Sequence, residues 1–350
     1  MIGNTVVKVE NVKKYYELHK GLLSFGPSLV VKAVDGISFE LHEGEIIGIV
    51  GETGSGKTTT GRMLVLLERP TSGKIYFEGT DISELKGNKL KEFRKNVQMV
   101  FQDPYESLNP RFTILKTLME PLIIHKIGDT YEERVDIVIR ALEDAGLKPG
   151  EEYLGRYPHE VSGGQRQRIA IARALVTSPK FIVADEPVSM LDVSIRAGVL
   201  NLMLDLREKL RIPFIFITHD IAVARYMSDR IFVMYLGKIV EYGLSEDVIF
   251  DPLHPYTRSL VAAIPVPDPD RKHERVLIKG EIPSPINVPP GCKFITRCVY
   301  AQKGICDVKE PELREVKPGH FVACHFAEQI MNGELKPKEE DLQKEEYMLS

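Results

Sequence analysis

The sequence predicts an α/β fold with a mostly parallel sheet at its core and a small C-terminal extension. Three observations predict it. Runs that are nearly all apolar, Ile46–Val50, Val97–Phe101, Phe181–Ala184 and Phe214–Ile217, read as strands buried on both faces. Helical patterns lie between and beside them, at Lys57–Leu67, Tyr131–Ala145, Gly164–Val176 and Val193–Lys209. Such alternation packs helices onto a sheet. The third observation is a change of texture near Asp251. Nine prolines fall between Pro252 and Pro290, and all four cysteines fall between Cys292 and Cys324.

The 350 residues are 43% hydrophobic and 27% charged, with a formal net charge of −4 and a pI near 6.2. At about 100–200 residues per domain, this length allows two domains or one domain with an appendage. The acidic balance argues against a general nucleic-acid binder. No apolar run approaches the ~18 residues of a membrane span, and Met1 to Lys14 lack the apolar core of a signal peptide. The expectation is a soluble, cytoplasmic chain able to dock onto a membrane partner. Residues 1–250 are expected to form a nucleotide-binding domain. Residues 251–334 form a cysteine-containing region, and 335–350 a charged, solvated tail.

The first strand is expected at Val6–Val12, followed by the adjacent aromatics Tyr15 and Tyr16. After the strand Ile46–Val50 comes Gly51-Glu-Thr53-Gly54-Ser55-Gly56-Lys57-Thr58, with Thr59 opening the next helix. A glycine-rich loop between a strand and a helix suits phosphate. Its glycines admit positive φ and turn backbone N–H groups inward. Lys57 can reach the β- and γ-phosphates, and the Thr58 hydroxyl suits Mg²⁺.

The run Phe181-Ile-Val-Ala-Asp185-Glu186 places two carboxylates at the C-terminal end of a buried strand. Ligands of open α/β sheets bind at that edge. Asp185 can orient Mg²⁺ or its waters, and Glu186 can polarise an attacking water. Val161-Ser162-Gly163-Gly164-Gln165 precedes a helical run. Ser162 is placed as its N-cap, and the glycines leave the helix start bare for an anion. Taken alone, an ordinary cap with no ligand is the simpler reading of that segment.

In combination, these motifs resemble the ATP-binding cassette (ABC) ATPases. In order, the chain shows the loop Gly51–Thr58, Gln102 after Val97–Phe101, the signature Ser162–Gln165, Asp185-Glu186, Ser189-Met190-Leu-Asp192, and His219 after Phe214–Ile217. Two positions depart slightly from the pattern, Val161 in place of Leu and Met190 in place of Ala. The resemblance covers residues 6 to about 250. It implies a P-loop core with an antiparallel β subdomain and a helical signature subdomain. It also implies two cassettes facing head to tail around two ATPs. Each ATP would meet the phosphate loop of one chain and Ser162, Gly163 and Gly164 of the other. Tyr16, rather than Tyr15, would stack on adenine. Gln102 would approach Mg²⁺ and the attacking water, His219 would contact the γ-phosphate, and Asp192 would act across the dimer.

A narrower resemblance covers roughly residues 251–326. Asp251-Pro-Leu-His254-Pro-Tyr-Thr257, Gly291–Cys298 and Gly319–His325 look like the ATPase subunits of oligopeptide and dipeptide importers. So does the insertion between Tyr16 and Val30. Relatives in that subfamily carry peptides, nickel or oligosaccharides. The resemblance implies two transmembrane permease subunits, an extracytoplasmic solute-binding protein, a site at the cytoplasmic face of the membrane and no nucleic-acid partner. A sister ATPase in a heterodimer is expected, with a homodimer as the alternative. The competing function is a soluble ABC ATPase acting in assembly of iron–sulfur clusters.

Cys292, Cys298, Cys306 and Cys324 are separated by five, seven and seventeen residues. Zinc ribbons use closer C-x₂₋₄-C pairs, disulfides are disfavoured in a cytosolic enzyme, and four thiolates can hold a [4Fe–4S] cluster. Members of the resembled subfamily carry such a cluster. The expectation is therefore [4Fe–4S], with zinc as the alternative, acting as a staple for a proline-rich segment. His320 and His325 are expected to be structural.

Overall fold

The computed structural model describes residues 3–18, 29–264 and 290–337, with 278, 280, 281, 283–286 and 288 between the last two. Most of the insertion after Tyr16, part of the proline-rich stretch and most of the charged tail lie outside the described residues.

The architecture rests on two sheets. Strands β1 (Thr5–Leu18), β2 (Leu29–His42), β4 (Ser72–Phe77) and β5 (Thr80–Asp81) form an antiparallel sheet in the order β2-β1-β4-β5. The central sheet holds β3 (Ile46–Val50), β6 (Val97–Val100), β7 (Phe181–Asp185), β8 (Phe214–Thr218), β9 (Arg230–Tyr235), β10 (Lys238–Leu244), β11 (Arg314–Lys317) and β12 (His320–Val322). Its order is β11-β12-β10-β9-β3-β8-β7-β6, and the run from β9 to β6 is parallel.

Both faces of the parallel part are covered, which explains its unbroken apolar strands. Ile182, Ala184, Phe214 and Phe216 face the helices Ile114–His125, Tyr131–Asp144, Gly163–Leu175 and Val193–Leu210. Their neighbours in sequence, Phe181, Val183, Ile215 and Ile217, face the helix Lys57–Leu64 and the antiparallel sheet. The period of two is the strand's own alternation.

Two boundaries differ from expectation by more than one residue. The first strand runs on to Leu18 because β2 pairs with it throughout, across several register shifts. The helix expected to reach Leu67 ends at Leu64, and Leu66 takes a left-handed φ of 52° that stops it.

The C-terminal region is continuous with the cassette. β12 pairs with β10, at Glu241 opposite Val322, and β11 closes that edge. Glu241 is fully buried at this junction. It accepts hydrogen bonds from the backbone N–H groups of Leu253 (2.8 Å) and His254 (2.7 Å), and lies 2.7 Å from His320 Nε2. His320 thus has a structural partner, and His325 Nε2 is likewise engaged, 2.8 Å from the Lys309 carbonyl.

Candidate active site

The Gly51–Thr58 loop leaves the C-terminal end of β3 and enters the helix Lys57–Leu64. Gly51 (φ 151°), Gly54 (φ 80°) and Gly56 (φ 102°) hold backbone angles that L side chains rarely adopt. A Cβ on Gly56 would also stand 2.2 Å from the Ala33 carbonyl oxygen. The loop is anchored from behind, where the Gly237 N–H donates to the Ser55 carbonyl at 2.9 Å. Lys57 is buried, and its ammonium donates to the carbonyls of Gly51 (2.7 Å) and Glu52 (3.0 Å). Burial lowers its pKa, opposed by Glu186, Asp185 and Glu52. A cation whose direct partners among the described residues are carbonyls, at a glycine loop, is suited to bind an anionic ligand.

Across the edge, Thr58 Oγ1 donates to Asp185 Oδ1 at 3.2 Å. Burial raises the Asp185 pKa, and the Glu186 charge adds to the rise. A hydroxyl beside a carboxylate is the oxygen donor set that Mg²⁺ takes, usually alongside water and phosphate oxygens. Glu186 follows at the strand end with a left-handed φ of 46°, and its N–H is tied to the Ile217 carbonyl at 2.9 Å. A non-glycine residue in that region costs conformational energy, so its direction is imposed by the surrounding sheet. Glu186 Oε2 is 3.0 Å from His219 Nδ1 and accepts from Gln102 Nε2 at 3.3 Å. Gln102 and His219 are exposed, while Glu186 is half-buried. One carboxylate oxygen therefore gathers two side chains that stand 84 and 33 positions from Glu186 in sequence.

The two tyrosines part company. The Tyr16 hydroxyl donates to Glu68, and Thr59 and Arg62 of the helix after the loop are close enough to perturb it. The Tyr15 hydroxyl turns instead to Asp35.

Ser162–Gln165 lies elsewhere. Ser162 caps the helix Gly163–Leu175 in a reciprocal box. Its Oγ accepts from the Gln165 N–H at 3.3 Å, and Gln165 Oε1 accepts from the Ser162 N–H at 3.0 Å. Ser162 and Gly163 are exposed, and Gly164 is buried where a Cβ would stand 2.5 Å from Ile195 Cγ2. Among the described residues, no hydrogen bond joins this segment to the phosphate loop. Asp192 precedes the helix Val193–Leu210, its side chain making no cap. It is exposed between Met190 and Val193, which are 65% and 80% exposed.

The four cysteines are free and line one small cavity with Phe294, Tyr300 and Phe326. Burial pushes the thiol of Cys292 up to about 11 and those of Cys298 and Cys324 up to about 12. Four thiols around one cavity are a donor set for a thiophilic metal. As placed, however, no group of three or more His, Cys, Asp or Glu among the described residues could hold a metal ion. The expected iron–sulfur cluster therefore finds no support in this arrangement.

Sequence reasoning missed a second set of contacts to the loop. The Glu52 carboxylate accepts from Arg297 Nη1 (2.6 Å) and Nη2 (3.0 Å), and its N–H donates to Tyr256 Oη (2.8 Å). The available signals were a carboxylate inside a phosphate loop and an arginine in a cysteine-rich, apolar segment.

Known proteins resemble this chain along most of its length. The ABC transporter family profile matches residues 34–189. The profile described as oligopeptide/dipeptide transporter, C-terminal region, matches residues 240–306. The oligopeptide transport ATP-binding protein AppF of Bacillus subtilis is 51% identical over 325 residues, covering 92% of this chain and 97% of that protein. The dipeptide transport ATP-binding protein DppF of Escherichia coli is 45% identical over 322 residues, covering 92% and 94%. Among solved structures, the dimeric post-hydrolysis state of the ATP-binding cassette MJ0796 bound to ADP and Pi superposes with a TM-score of 0.60. It is 32% identical, over 68% of this chain and 98% of that one. Nothing in these likenesses supports a role in assembling iron–sulfur clusters. The chain belongs to the ABC transporter family, as an ATP-hydrolysing subunit of its oligopeptide/dipeptide branch.

Proposed function

We propose that this chain is the motor subunit of a peptide importer, working as one half of a cassette pair at the cytoplasmic face of the membrane. The observation that carries the catalytic part is the convergence of Gln102 and His219 on Glu186 Oε2, across the sheet edge from Lys57 and Thr58. Lys57 and the loop N–H groups bind the phosphates, and Tyr16 offers its ring to the adenine. Thr58 and Asp185 would hold Mg²⁺, with Gln102 beside them. When bound, the ion neutralises charge on the β- and γ-phosphates. Glu186 accepts a proton from the attacking water, and His219 meets the γ-phosphate. Most of the rate comes from positioning and electrostatics.

The cassette pair is supported by what the site lacks within one chain. Ser162, Gly163, Asp192 and the apolar Met190 and Val193 are exposed, ready for a partner cassette, either a sister ATPase or a second copy. No helix among the described residues is long and apolar enough to cross a membrane. Transport therefore needs separate permease subunits, supplied with solute by an extracytoplasmic binding protein. Peptides are the favoured solute; oligosaccharides or nickel fit the same motor, because solute contacts lie in the partners.

Lys57→Ala removes the cation from the phosphate loop and lowers MgATP affinity by about 10-fold or more, on the order of a lost charge-assisted contact. Titration calorimetry reads this directly, and unchanged affinity would remove Lys57 from the site. For the cysteines, a [4Fe–4S] cluster, or zinc, as a staple rests on the sequence and on four thiols lining one cavity, not on any ligating arrangement among them. Stoichiometric iron and sulfide in anaerobically purified full-length protein supports the cluster. One zinc replaces it with a zinc site, and metal-free, folded protein removes both.

A further inference from the structure

We propose that Arg297 and Tyr256 of the C-terminal region are positioning residues for the phosphate loop. Both act through Glu52 to set the loop's affinity for ATP. A carboxylate in a phosphate-binding loop is an electrostatic liability, since its charge repels that of the incoming triphosphate. Here that charge is answered by a bidentate guanidinium at 2.6 and 3.0 Å, a geometry that lysine cannot reproduce. Arg297 is 6% exposed. Its guanidinium carbon stands 5.8 Å from the ring centres of both Tyr235 and Phe294, within reach of a cation–π contact. Tyr235, Tyr256 and Phe294 pack on one another at 4.8–5.5 Å. Lys293, in the same segment, is tied to Asp35 (2.9 Å) and the Leu236 carbonyl (3.0 Å). The arginine is therefore held in place from several sides.

The second contact works through a single peptide plane. The Glu52 N–H donates to Tyr256 Oη, and the carbonyl of the same peptide, that of Gly51, accepts from Lys57 Nζ. A planar peptide transmits orientation from one end to the other. Tyr256 thus sets the direction of a carbonyl that Lys57 must leave when it turns to phosphate. The cysteine region thereby becomes part of the nucleotide site rather than an appendage beside it.

The inference rests on reading Gly51–Thr58 as the ATP site, and a rescue experiment separates the two. Affinity of the full-length chain for a non-hydrolysable ATP analogue with Mg²⁺ is measured by calorimetry. Arg297→Ala leaves Glu52 charged and unpaired, and affinity falls roughly 10-fold. Adding Glu52→Gln to that variant removes the uncompensated charge and restores affinity to within about threefold of wild type. Arg297→Lys keeps the charge but not the fork and gives an intermediate loss, which also covers the case in which Arg297→Ala fails to fold. Tyr256→Phe weakens binding without rescue by Glu52→Gln. A merely structural role predicts a lower melting temperature with no rescue of affinity, and that result overturns the proposal. If Lys57→Ala abolishes binding while the Arg297 variants bind as wild type, the proposal fails and the site reading stands. If Lys57→Ala binds normally, both fall.

Discussion

Glu186→Gln should retain MgATP binding while ATP hydrolysis falls by about 10²–10⁴-fold, the usual contribution of a general acid–base group. The substitution keeps the size of the side chain and its ability to accept from Gln102 Nε2. It removes the basic oxygen that stands 3.0 Å from His219 Nδ1 and 3.3 Å from Gln102 Nε2. The backbone of Glu186 is held left-handed by its bond to Ile217, so the Gln side chain is presented in the same direction. Lys57, Thr58 and the loop glycines are untouched, which is why binding survives. Phosphate release and nucleotide affinity measured on the same preparation make the test. A hydrolysis rate within about tenfold of wild type contradicts the assignment of the base.

The second large effect is on stability. Glu241→Ala should destabilise the fold by about 3–5 kcal/mol, the range for removing one partner of a buried ion pair or network. Glu241 is 0% exposed and serves the N–H groups of Leu253 and His254 and the ring of His320. Its loss leaves buried donors with no acceptor where β10 and β12 meet the segment leading into the helix Pro255–Ala262. A urea melt should show a clearly lowered midpoint. Glu246→Ala is the control, because its side chain is 64% exposed and surface changes stay within about 0.5 kcal/mol. Equal midpoints for the two variants contradict the structural role of Glu241.

Much of the catalytic edge was legible in the sequence because its parts are local. The phosphate loop needs glycines at fixed offsets, and Asp185-Glu186 ends a strand whose four preceding residues are all apolar. Motif order assigned Gln102 and His219 to the ATP site only through the family resemblance; their convergence on Glu186 was not legible, since spacing alone says nothing of which strand ends meet. The strands β3, β6, β7 and β8 were visible because each is buried on both faces. By contrast, β10, β11 and β12 carry mixed residues at an antiparallel edge, and the β10–β12 pairing is long-range. The role of Glu241 was hidden for the same reason, as a lone glutamate in Lys238–Leu244 reads as a solvent-facing residue. Arg297 was passed over because the cysteines around it drew the functional reading, and its partner Glu52 lies 245 residues away.

The central claim is that ATP hydrolysis at this edge drives peptide movement. The most direct test places the chain in proteoliposomes with the permease subunits and second cassette proposed for it, and follows uptake of a labelled oligopeptide delivered by the proposed binding protein. The account predicts uptake that requires MgATP on the cassette side and stops when Glu186→Gln replaces the wild-type chain. Uptake that continues with Glu186→Gln, or that proceeds without ATP, would contradict it.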